Sequence, residues 1–294
     1  MSLFDLFKNK EGEPFHHKGE KGIVLKDGKH YVIDCEDVVA TRNAIIIEST
    51  NSTYETVGGK AKIQIFDGGR IDCLSKKANI GFFKSGFITK MKNNASITTV
   101  NDCTIQYVKN KSKIGTFNSG LIKFLDDKSK IETFNDGQIL FVRDKAQIGT
   151  LISGKIANVI DKTRITTIMN GKVEYITENA VIGTINNGEI ANVCDNCKIS
   201  TLNDGNIKVM MGESEITTKI AGNVEEINGA SRIVYNQQAP QIEETEVVAA
   251  SEDVKKTKKQ KKDEKSCENA EDGFFEEQNI VADASEPIEI DNND

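Results

Sequence analysis

Four stretches decide how this chain reads: KSKIETFNDGQILFVRD at 128–144, KAQIGTLISGKIANVID at 145–161, NAVIGTINNGEIANVCD at 179–195 and NCKISTLNDGNIKVMMG at 196–212. Each is 17 residues long and aligns with the others without a gap. Extended in both directions, the frame covers Lys60 to Gly229 as ten consecutive units with no insertion or deletion. With Lys60 taken as position 1, position 4 is Ile in all ten units, from Ile63 to Ile216, and Ile233 begins an incomplete eleventh. Position 12 is Ile or Val from Ile71 to Val224, and position 15 is always Leu, Met, Val or Ile. Position 10 is Gly in nine of ten, Cys103 being the exception. Self-similarity at a fixed period is the mark of stacked supersecondary units.

The chemistry of the unit selects the architecture. Pieces such as I-x-T-F and x-I-x-x-V are too short for helices and rich in β-branched residues. Between them lie N-S-G, N-D-G or N-N-G, residues that accept positive φ in tight turns. One such unit buries too few side chains to offset the entropy of ordering its backbone. Stacking removes the deficit, because each coil pairs with the coil above and the coil below. The expected fold is all-β, a single-stack β-solenoid of ten 17-residue coils, each rising about 4.8 Å. Positions 4, 12 and 15 should form inward aliphatic columns, and position 2 a small-residue column at a corner. Position 7 carries Phe66, Phe83, Phe117 and Phe134, then Leu151, Ile168, Ile185 and Leu202, a core column that tapers from aromatic to aliphatic.

Outside the repeat, residues 1–59 fit the frame poorly. Strands are expected at Lys21–Leu25, His30–Cys35 and Ala44–Glu48, and the region reads as a β cap over an open end of the stack. At the other end Lys219 interrupts the position-7 column and Glu213, Glu215, Glu225 and Glu226 gather, a pattern that discourages further templating. After Asn236 periodicity is lost, and 237–294 reads as a disordered acidic tail. The full chain has 294 residues, with 38 Lys and Arg against 45 Asp and Glu. Residues 240–294 hold 17 of the acidic groups and 7 Lys, which leaves a body of 31 basic and 28 acidic groups. Within the tail, the lysine run Lys255–Lys262 reads as a solvated segment balanced by its flanks, so nucleic acid is not an expected partner. Phe274 and Phe275 are a candidate docking motif. Leu3, Phe4, Leu6 and Phe7 are a candidate amphipathic anchor to a membrane surface or a partner. No apolar run approaches the length of a membrane-spanning helix, and a secretory signal is not expected. A cytoplasmic location with reduced thiols follows as the default.

Few residues suggest chemistry. The three histidines, His16, His17 and His30, all precede the repeat, and a His16/His17/His30/Cys35 metal site has no ligand spacing behind it. Cys194 and Cys197 form a lone C-x-x-C in which Cys197 falls on the small corner column, with no helix to lower a thiol pKa. No catalytic group, cofactor or metal is expected, and the chain reads as a non-enzyme. Two outward columns are candidate surfaces. Thr occupies position 6 in eight successive units from Thr99 to Thr218, but mixed residues at position 5 spoil an ice-binding lattice. Position 14 supplies Tyr107, Phe124, Phe141 and Tyr175, a candidate stripe for a carbohydrate or for a partner's strand.

In coil length, Ile and Val columns, flanking tails and the apolar start Met1–Phe7, the chain resembles the bactofilins, bacterial cytoskeletal proteins built on a single β-helix. The resemblance covers 60–229 at the level of pattern. It implies a structural scaffold whose partners are further copies, lateral or end to end, or another protein bound by the tail or a lateral face. A phage tail or baseplate component, trimeric and virion-located, is the alternative, and an ice- or carbohydrate-binding solenoid a further one.

Overall fold

The computed structural model describes residues 13–236. The candidate anchor Leu3, Phe4, Leu6 and Phe7, the lysine run, and Phe274 and Phe275 lie outside the described residues. Within them the chain is a β-solenoid of about 13 turns with no helix. Twenty-four strands join in one hydrogen-bonded network, and every pairing is parallel.

The repeat folds as its columns demand. Identical positions face one another along the stack: Ile114 pairs with Ile131, Thr116 with Thr133 and Phe117 with Phe134. In a parallel ladder a column of equal side chains packs the same way at every level, so one sequence solution serves every coil. Positions 4, 12 and 15 are inward and buried from Ile63 to Ile216, and the core is one continuous cluster. The position-7 rings pack inside it, Phe66 and Phe83 tilted at 58° with centroids 5.2 Å apart, Phe117 and Phe134 stacked at 5.0 Å. Position 2 is buried throughout, as Ala78, Ser112, Ala146, Ala180 and Cys197 illustrate.

Two local features hold the coil's shape. Position 17 turns the corner with a left-handed residue in successive coils, from Asn93 (φ 57°) through Asp144 (63°) to Asp195 (61°). Asn and Asp tolerate that region better than other residues with a Cβ, which explains their prevalence there. The turn glycine at position 10 is set by two causes. Gly120 has φ 115°, and a Cβ there would sit 2.1 Å from the Cys103 carbonyl oxygen. At Gly154 a Cβ would strike the Phe134 ring at 2.2 Å.

A further regularity appears at position 5. Gly81, Gly115, Gly149 and Gly183 occupy every second coil, alternating with Thr98, Glu132 and Thr166. A Cβ on these glycines would lie 2.8, 2.6, 2.3 and 2.3 Å from the carbonyl oxygen of the residue below. Coils thus pass alternately with and without a side chain at this point.

The count of coils corrects the expectation of ten. Strands β1 (Phe15–Lys18), β2 (Val24–Leu25), β3 (Lys29–Ile33), β4 (Val38–Ala40) and β5 (Ile45–Val57) are coils of the same stack. Phe15 pairs with His30 and Val24 with Val39, a spacing of 15, whereas Tyr31 pairs with Glu48 at 17. The change of step is absorbed by an irregularity between His30 and Tyr31. A fixed frame of 17 passes over these coils because their length varies while their inward residues still align.

Candidate functional site

The predicted stripe lies on the outside of the second strand of each coil. Strands Cys103–Val108, Gly120–Leu125 and Gln138–Val142 bury positions 12 and 15, which leaves position 14 between them half-exposed. Tyr107 and Phe124 stack at 5.0 Å and 10°, and Phe124 and Phe141 at 5.4 Å and 11°. Tyr175 is the most exposed of the four and stands apart, because Asn158 occupies the column between it and Phe141. The three stacked rings cover one another's faces. Toward solvent the ladder presents chiefly ring edges.

Cations edge the ladder. The Arg143 guanidinium lies 4.8 Å from the Phe124 centroid, and Lys109 Nζ 5.1 Å from that of Tyr107. Arg143 also donates twice to Asp126, at 2.8 and 3.1 Å, and this nearly buried carboxylate raises its pKa further. The arrangement is an internally satisfied strip with charged margins.

Beside it, the position-17 corners form a groove of about 820 Å³ running across several coils. Its wall is a carboxylate ladder in which the aspartates accept from the corner amide of the coil before. Asp127 accepts from Asn110 N at 3.1 Å, Asp161 from Asp144 N at 2.9 Å and Asp195 from Glu178 N at 3.0 Å. Lys111, Lys128, Lys145 and Lys162 also line it. The capping bonds depend on the left-handed corner, which a sequence pattern does not carry.

The remaining candidates separate. The Thr99–Thr218 column is half-buried and in register along the stack. Cys194 and Cys197 are both buried, and burial pushes the Cys197 thiol up to about 12, far from a reactive thiolate. Cys35 donates its thiol to the Ile33 carbonyl at 3.3 Å, and the His16 ring stacks on Tyr31 at 4.8 Å. Of the four residues first grouped as conceivable ligands, only His17 and His30 meet, at 3.3 Å. Among the described residues no group of three or more His, Cys, Asp or Glu is placed to hold a metal ion.

At each end of the described stack apolar residues lie open: Phe15, Val24 and Ile33 at one, Ile227, Val234 and Tyr235 at the other. No family model, no curated protein and no solved structure matches the chain.

Proposed function

We propose that the chain is a non-enzymatic, cytoplasmic scaffold: a rigid rod that assembles with further copies of itself, in the manner of the bactofilins it resembles. The observation that carries this reading is the pair of open ends. Ile227 continues the position-15 core column yet is 45% exposed, and Tyr235 on the last described strand is 65% exposed. Phe15, at the opposite end, is aligned through His30 and Ile46 with the position-4 column. All strands run parallel, so the first coil of a second copy would extend the ladder with the same polarity and place Phe15 over Ile233. Strand Arg232–Asn236 already stacks over Glu215 and Lys219, the charges expected to discourage templating, and unpaired strand edges and open core columns favour further joining. The aromatic ladder and its cationic margin then remain as a lateral surface for a protein partner.

The test is light scattering and negative-stain microscopy of the full chain over a range of concentrations, beside an Ile227→Glu variant. Filaments that lengthen with concentration and shorten in the variant support end-to-end assembly. A discrete trimer favours a virion fibre instead, and a monomeric rod moves the function to the lateral face.

A further inference from the structure

The two histidines that meet share one position between their rings, open to a single bridging cation, a proton or a metal ion. His30 Nε2 lies 2.8 Å from the Asp27 carbonyl oxygen, and a carbonyl only accepts, so this nitrogen carries the ring proton. His30 Nδ1 is therefore a bare lone pair. His17 Nδ1 lies 3.1 and 3.3 Å from the two carboxylate oxygens of Glu20, which also only accept, so the His17 proton sits on Nδ1. His17 Nε2 faces His30 Nδ1 across 3.3 Å, and in the neutral ring it is a second lone pair. Two lone pairs at that distance repel unless a cation lies between them.

We infer that His17 Nε2 and His30 Nδ1 are the protein's two ligands for a divalent transition-metal ion of the zinc class. Two nitrogens each about 2.0–2.1 Å from a tetrahedral zinc stand about 3.3 Å apart. Both outer N–H groups already have the acceptors, one carboxylate and one backbone carbonyl, that orient ligating histidines. The Phe15 ring stacks on His30 at 5.4 Å and shields one side. Imidazole pairs suit zinc, copper or nickel, and the remaining coordination positions fall to water or to a second molecule. His17 belongs to β1 and His30 to β3, so the ion would clip the first coil to the second. The inference is independent of end-to-end assembly.

The experiment uses the full chain freed of metal, titrated with zinc alone and followed by calorimetry and by ¹⁵N spectra of the histidine rings. A single zinc per chain is expected, with His17 Nε2 and His30 Nδ1 shifting as it binds. His17→Gln, on an edge strand where refolding is not at stake, should abolish binding. Glu20→Gln should weaken it about tenfold through the lost partner. His16→Ala, whose ring is stacked on Tyr31, should leave it unchanged. Zinc that binds equally well to the His17→Gln variant overturns the inference. So do ring spectra that zinc does not perturb, with one proton shared between the two nitrogens.

Discussion

Between Phe15 and Val57 the coils step by 15 to 17 residues, whereas from Asn79 onward every paired residue lies 17 from its partner. The early coils also have a more polar interior. His30, Ser49 and Ser52 are buried there, and Tyr54 reaches inward to donate to Ser49 Oγ at 3.0 Å. Cys35 N in turn donates to Ser52 Oγ at 3.0 Å. From Asn79 onward, buried hydroxyls are confined to the position-2 corner, as at Ser112, whose side chain donates to the Lys109 carbonyl at 2.8 Å. A coil thus needs inward residues that stack and a corner that turns. It does not need a constant length, provided side-chain hydrogen bonds hold the irregular steps.

The comparison breaks first at the core. Phe117→Ala removes a ring stacked on Phe134 and should cost about 4 kcal/mol, while Val32→Ala in the second coil should cost roughly 2. Urea midpoints of the two variants measure the difference, and equal losses would mean the early coils are packed as tightly as the body. Glycines come next. Gly120→Ala drives a Cβ into the Cys103 carbonyl and should lose roughly 3 kcal/mol. Gly19→Ala, with φ 65° and nothing within 4 Å, should lose only about 1. Hydrogen exchange would locate each loss in its own coils.

Tyr54 sharpens the contrast through pH. Burial raises its hydroxyl far above the ordinary value, so the folded chain keeps it neutral. Its contribution to stability is complete below pH of about 10, where unfolded tyrosine is also neutral, and is lost as pH rises beyond. Tyr54→Phe should therefore cost about 1 kcal/mol at neutral pH and flatten the alkaline decline, read from thermal unfolding across that range. The smallest effect is expected at the corner ladder. Asp144→Ala loses an exposed capping bond and a residue that tolerates left-handed φ, worth some tenths of a kcal/mol, whereas Asp144→Asn should be nearly silent in the same assay.

What could be read from sequence follows the same divide. Ile114, Ile131 and Ile148 announce their column because a parallel ladder stacks like on like at a constant interval. Phe15, His30 and Ile46 share a column too, yet differ in chemistry and in spacing, so no period reveals them. The Tyr107 stripe was legible as an outward surface, but ring stacking on Phe124 is a matter of rotamers that a pattern does not carry. The meeting of His17 and His30 was hidden for a related reason. A step of 15 places Phe15 beside His30 and brings His17 in diagonally, a geometry that the 17-residue frame does not contain.

The alternating glycine at position 5 has a consequence for how such a molecule changes length. Removing the single coil that holds Gly149 would bring Glu132 directly beneath Thr166, where the native stack keeps a glycine between two side chains. Removing two coils restores the alternation. From Gly81 to Gly183 the step that preserves the packing is therefore a pair of turns, about 10 Å of axial rise, whereas Ser200 and Thr217 beyond it follow one another without a glycine. A gene that shortens or extends this protein by repeat slippage would keep to even steps there, like a ruler marked only at every second division.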